Sequence, residues 1–237
     1  MRRTVLSLVL ALACAVTLNC SDSSPMGPDG SGDGGGGGNG GGGSDGGATG
    51  NTTIFDDMGL DDSEWDNYVQ TSGSGGTMGG GHFTIGGVGN SGYRRIILTV
   101  NSGGGQVALF AISHAANYTP SGDGRIFSIT YSEDAIHFSG SGSQYSSPAL
   151  RQDGKLYALV PNGGAFPTPE SGWTTHNVTA ATQDQFRTLD SASDHPDFSI
   201  TGSRIEFGYM RLHSTPESDP GGTVTGGIDN WHLVLNR

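Results

Sequence analysis

From residue 82 onward the chain alternates between short apolar or alternating runs and small polar clusters. The runs are His82–Ile85, Arg95–Val100, Gln106–Ile112, Arg125–Tyr131, Leu156–Val160, Trp173–Val178, Ser203–Arg211 and Ile228–Leu235. Each is rich in β-branched or aromatic residues. Turn-forming clusters such as Ser102–Gly105, Ser121–Gly124, Gln152–Gly154 and Asp219–Gly222 separate them, as strands and their connections require. One segment, Thr179–Phe186, has the character of a single helical turn or two. Many short strands with almost no helical period predict an all-β sandwich or barrel. No repeat of about 20–50 residues is present, which argues against propellers and solenoids.

The alternation also assigns faces. Ile205, Phe207 and Tyr209 share one side of their strand, with Glu206 and Gly208 on the other. In the last run Trp231, Leu233 and Leu235 share one face, and Ile228, Asn230, His232 and Val234 the other. Apolar groups on both faces predict a strand central to its sheet.

The N-terminal part reads differently. Arg2 and Arg3 precede an apolar run from Val5 to Leu18, shorter than the ~20 residues of a spanning helix, and this is the pattern of a secretory signal. From Pro25 to Gly50, 15 of 26 residues are glycine and the others are nearly all Ser, Asp, Asn or Pro. Such a stretch cannot bury enough apolar surface to offset its ordering entropy, so it is expected to be a flexible tether reaching about 25–30 Å. The expected organisation is a signal over 1–20, a disordered Gly/Ser/Asp-rich tether over 21–50 and one β-sandwich over 51–237. A GxSxG match at Gly42–Gly46 lies in the low-complexity stretch, without the strand and helix that a nucleophile elbow needs.

Composition narrows the partners. The formal charge is −12, from 11 Lys and Arg against 23 Asp and Glu, which argues against nucleic acid or an anionic lipid surface. The chain has two cysteines, Cys14 and Cys20, so no disulfide framework forms in the domain over 51–237. A cysteine directly after an apolar run resembles the lipidation site of bacterial lipoproteins. Cys20, followed by Ser21–Ser24, fits by position, although Thr17-Leu18-Asn19 departs from the usual Leu-x-Ala/Gly box. Cys14 follows Leu12-Ala13 but leaves a short apolar run. The resemblance implies an exported protein held at the outer membrane or cell surface only through a lipid anchor, with Cys20 as its expected site.

The C-terminal stretch from Phe207 to Leu235 contains a strand passing through Arg211, a polar Gly-rich loop and a strand with Ile228-Asp229-Asn230. This resembles the closing hairpin of concanavalin A-like (laminin G-type) jelly-roll domains of secreted bacterial proteins. Gly89–Arg95, Tyr131–Asp134, Gln152–Tyr157 and Trp173 followed by Phe186 fit the same group. The resemblance covers roughly 51–237. It implies an all-β concanavalin A-like jelly-roll β-sandwich and, by analogy, a carbohydrate-related role.

Some hydrolases of that fold carry Glu-x-Asp-x-(x)-Glu on one strand face. Glu64-Trp65-Asp66 supplies two acids, lacks the third and lies at the start of the domain, so hydrolysis is not the expected function. The seven histidines form neither HxH nor HExxH, which leaves a zinc site without a motif. Calcium takes hard oxygen ligands, and Asp56, Asp57, Asp61, Asp62, Glu64 and Asp66 crowd the start of the domain. In the resembled fold the terminal strands are neighbours, which implies a structural calcium held by Asp229 with Asp56 or Asp57. Sugar binding calls for exposed aromatic faces beside polar groups. Trp65, Trp173 and Trp231 are expected in the core, whereas Tyr118 and Tyr145 stand in polar loop contexts. Of the adjacent Arg94 and Arg95 one must face outward. Tyr118, Tyr145 and Arg94 are therefore the candidate ligand residues. The expected function is non-catalytic binding of an extracellular glycan or surface polymer. A structural or adhesive surface protein and a hydrolase with acids from separate strands are the rivals.

Overall fold

β-branched and aromatic residues make strands such as Tyr93–Val100 and Ile205–Thr215, and glycine-containing turns separate many of them. The computed structural model describes residues 52–159, 166–168 and 172–237. The expected signal, the tether and Cys20 lie outside them. The strands are β1 (Thr52–Asp57), β2 (Trp65–Gly73), β3 (Gly76–Phe83), β4 (Tyr93–Val100) and β5 (Gly105–Tyr118). They continue with β6 (Ser128–Gly140), β7 (Tyr145–Gln152), β8 (Lys155–Leu159), β9 (Phe166–Pro167) and β10 (Thr174–Ala181). β11 (Phe186–Arg187), β12 (Ile205–Thr215) and β13 (Gly222–Asn236) complete the set. The expected helical segment at 179–186 is instead the end of β10 and one 3₁₀ turn, Gln183–Gln185, closed by a capping box from Thr182.

The strands form two antiparallel sheets, a β-sandwich of jelly-roll type. The first runs β10-β6-β13-β4-β3, with β1 also on β13, and the second runs β11-β8-β7-β12-β5-β2, with β9 on β7. β13 is central, as its two apolar faces predict. β6 flanks it along its length, while its other edge pairs first with β4 over 222–228 and then with β1 over 231–236.

The two sheets close on a core that includes Trp65, Leu98, Leu109, Tyr131, Phe207 and Trp231. Ile205, Phe207 and Tyr209 face it together as expected. In β13 the expectation fails at one point: Ile228 lies in the same core as Trp231. A bulge between Asp229 and His232, with Asn230 in the left-handed region at φ 49°, inserts one residue and reverses the alternation. Trp231 packs edge-on against Trp65 at 5.3 Å, and Trp65 against Tyr209 at 5.2 Å.

One ion pair crosses this core. Glu133 of β6 meets Arg211 of β12 at 3.0 Å, both side chains at 0 % exposure. Tyr131 and Ser146 donate to the same carboxylate. Burial would raise the pKa of Glu133, but the Arg211 guanidinium, helped by hydrogen bonds from His176, Ser146 and Tyr131, brings it down to about 2.

Candidate functional site

The outward face of the second sheet is built in cross-strand rows. Tyr68, Phe110, Met210 and Ser147 form one row, and Gln70, Ala108, Leu212 and Tyr145 the next. The floor is apolar and closed: Ala108, Phe110, Ile112, Ala149, Leu156, Ala158 and Met210 are buried, with Tyr68, Leu189 and Leu212 packed on them. What covers the floor is the segment that follows β11. It is held at its far end by Lys155 on Asp194 at 2.8 Å and by the ring of His195 against the Phe186 carbonyl at 2.8 Å.

Between this segment and the sheet lie two adjoining hollows that share Gln106, Leu189 and Asp190. One, of about 380 Å³, adds Arg187, Met210 and Leu212. The other, of about 410 Å³, adds Gln70, Thr71 and Ser72. Gln70 and Gln106 each carry two amide donors and an acceptor, Asp190 supplies acceptors and Arg187 donors, all beside the apolar Leu189, Met210 and Leu212. Beyond the groove Arg151 binds Glu206 at 3.0 Å and lies over the Tyr68 ring at 5.2 Å, while His114 meets Asp66 at 3.1 Å. A glycosidase places two carboxylates across the scissile bond, whereas the described residues lining the groove include a single one, Asp190.

The expected ligand residues are scattered. Tyr145 is half-buried on the groove's own face, cross-strand from Leu212. Tyr118 is a core side chain, its hydroxyl donating to the Asp123 carbonyl at 2.7 Å, so it offers no platform to a sugar. The two tyrosines stand beside opposite ends of β12, at Leu212 and Ile205, some 23 Å apart at the usual strand rise. Arg94 points inward, 3 % exposed, and binds Asp62 at 2.9 Å, the Asn67 amide oxygen at 2.9 Å and the Tyr209 hydroxyl at 3.1 Å. Arg95 is the outward one of the pair.

β1 and β13 are neighbours as anticipated, and each of the expected calcium ligands has protein partners of its own. Asp56 is paired with His232, its register partner. Asp57 accepts from the Gly59 and Leu60 amides at 2.9 and 2.7 Å and from the Trp65 indole at 2.7 Å. Asp229, fully buried, accepts from the Val88 amide and the Ser91 hydroxyl on one oxygen, at 2.7 and 2.8 Å, and from the Asn230 amide on the other at 2.7 Å. Among the described residues no three His, Cys, Asp or Glu side chains gather into a metal-binding group.

Sequence reasoning missed Gln70, Gln106 and Asp190. Gln70 lies on β2, whose sequence from Trp65 to Gly73 carries no apolar alternation. Asp190 lies in an irregular segment, and only the fold brings it over Gln106.

No family model matches the sequence, and no curated protein matches it either. Among solved structures the chain is similar to the family 11 carbohydrate-binding module of Clostridium thermocellum, solved with a β-1,3-1,4-mixed-linked tetrasaccharide. That likeness has a TM-score of 0.45 and 13% identity, over 78% of this chain and 95% of that one. It is also similar to the CBM22-1 xylan-binding domain of Paenibacillus barcinonensis Xyn10C, with a TM-score of 0.37 and 10% identity over 79% of this chain and 96% of that one. An exo-beta-agarase matches with a TM-score of 0.37 and 11% identity, over 71% of this chain and 24% of that one.

Proposed function

We propose that the sandwich is a non-catalytic glycan-binding module whose site is the groove under Leu189 and Asp190. The observation that carries this reading is the lining of the two hollows: amide side chains beside the half-buried Leu189 and Leu212, with one carboxylate. Sugar hydroxyls both donate and accept, so amides that do the same match them, while the half-buried Leu189 and Leu212 suit the C–H faces of a pyranose. Tyr145 stands at the rim next to Leu212 and supplies an aromatic edge.

The same proposal includes export, lipidation at Cys20 and display at the outer membrane or cell surface. These rest on the apolar run of Val5–Leu18 and on the cysteine that follows it. Kinship with the concanavalin A-like (laminin G-type) domains also belongs to the proposal, and rests on the Phe207–Leu235 pattern.

A glycan array with the purified protein tests the groove. Saturable binding to one glycan class is expected. Gln106→Ala, which removes the side chain common to both hollows, should weaken it about five- to tenfold by loss of one or two hydrogen bonds. Absence of binding across a broad array, from protein shown to be folded, would overturn this reading in favour of the structural or adhesive one.

A further inference from the structure

The outward face of the first sheet carries a second constellation that the groove does not use. Phe83 stacks on Tyr93 at 5.4 Å, Tyr93 meets Phe138 and Trp173 at 5.5 Å each, and Phe138 meets Trp173 edge-on at 6.1 Å. The cluster is open to solvent at Phe138, 42% exposed. Trp173 is fixed in place, its indole donating to the Gly86 carbonyl at 3.2 Å. Gly227 of β13 makes room for the rings, since a Cβ there would lie 2.8 Å from the Trp173 ring and 3.0 Å from Phe138.

Arg95 stands beside these rings. Its register neighbours are Gly81 on β3 and Gly227 on β13, neither with a side chain. The guanidinium lies over the Phe83 ring at 4.2 Å, and its Nε has no hydrogen-bond partner. Arg94, Arg151, Arg211 and Lys155 each hold a carboxylate, whereas Arg95 forms no ion pair among the described residues, in a chain of net charge −12. The acids nearby on this face are already engaged. Asp229 is held by Val88, Ser91 and Asn230, and Asp134 by Thr175 and the Asn230 amide.

We infer that this face is a second saccharide site, separate from the groove and selective for an acidic sugar. The ring's C–H face lies on Phe138 and Trp173, and its carboxylate or sulfate takes the guanidinium of Arg95. Cation and aromatic surface are both needed: the rings alone accept any sugar, and Arg95 adds a charge-assisted contact that only an anion returns.

Affinity electrophoresis of the full chain through gels containing polygalacturonate, λ-carrageenan or pullulan tests the inference independently of the groove. Retardation by one of the two acidic polymers is expected, and which one retards identifies the anion as carboxylate or sulfate. Arg95→Gln, at a half-exposed position that should leave the melting temperature unchanged, should weaken that retardation about tenfold or more, as loss of a charged hydrogen bond does. Trp173→Ala should weaken it as well, and Gln106→Ala should leave it as it is. Passage through both acidic gels without retardation would overturn the inference. So would retardation untouched by Arg95→Gln, or abolished by Gln106→Ala.

Discussion

Arg211→Met should destabilise the fold by about 3–5 kcal/mol, the usual cost of leaving one member of a buried ion pair without its partner. Arg211 and Glu133 are both fully buried, 3.0 Å apart, and join the two sheets through the core. With the guanidinium gone, Glu133 keeps the hydroxyls of Tyr131 and Ser146 and the His176 ring at 3.7 Å but loses its permanent countercharge. The double variant Arg211→Met/Glu133→Leu should recover most of the loss, because buried pairs replaced by apolar side chains of similar volume often cost nothing. Urea denaturation at neutral pH measures both.

The same pair gives the fold a pH signature. Glu133 has its pKa lowered from an ordinary 4.5 to about 2, so the unfolded chain binds the proton more readily than the native one. The stabilisation is therefore complete above about pH 5 and fades as pH falls through 4.5 toward 2, by roughly 3 kcal/mol in all. Glu133→Gln should flatten that part of the stability profile. A profile as steep in the variant as in the wild type would mean that other carboxylates govern acid unfolding.

Asp229→Ala has the second largest expected effect, roughly 2–4 kcal/mol. Its carboxylate receives the Val88 and Asn230 amides and the Ser91 hydroxyl. Removal leaves the two amides without acceptors, at about 1–3 kcal/mol for each one that water cannot reach, while the Ser91 hydroxyl keeps the Val88 carbonyl at 2.8 Å. The effect should be local as well as global. Residues 84–92 are held over the outward face of the first sheet by Asp229, and Gly86 in turn receives the Trp173 indole. Hydrogen exchange should quicken at Val88 and Ser91 more than in β4. If melting temperature and exchange both match the wild type, Asp229 does not hold this loop.

Much of the architecture is legible in the residues, and the exceptions have physical causes. β12 alternates plainly from Ile205 to Tyr209, and the structure keeps that alternation. β7 escapes notice because it begins Tyr145-Ser146-Ser147-Pro148, and proline is unsuited to a strand interior. Pro148 is tolerated because it falls between the stretches of that edge which pair with β9, at 145–146, and with β8, from 149 to 152. β1 and β2 escape for want of an apolar pattern: each lies at an edge with much of its length exposed. The candidate sites were less legible still. Tyr118 and Arg94 have the right chemistry in the wrong places, because polar flanks in sequence do not reveal which side of a strand a residue takes. The groove depends on an irregular segment crossing a sheet, which no local pattern encodes. Arg95 was half legible: one arginine of the pair had to face outward, but its aromatic neighbours come from four separate segments.

The bulge in β13 bears on how this sequence can change in length. Asp229 opposes Asp134 and His232 opposes Ser132, three steps on one strand against two on the other, so β13 holds one surplus residue. Its opposite edge passes from β4 at Ile228 to β1 at Trp231 across the same gap. Loss of Asn230 would therefore leave Ile228 and Trp231 both turned inward and disturb neither neighbour's register. Loss of any single residue between Trp231 and Leu235 would turn the residues beyond it inside out. Within the longest strand of the sandwich, Asn230 is thus a position at which one residue can be lost while the core-facing side chains on either side keep their direction.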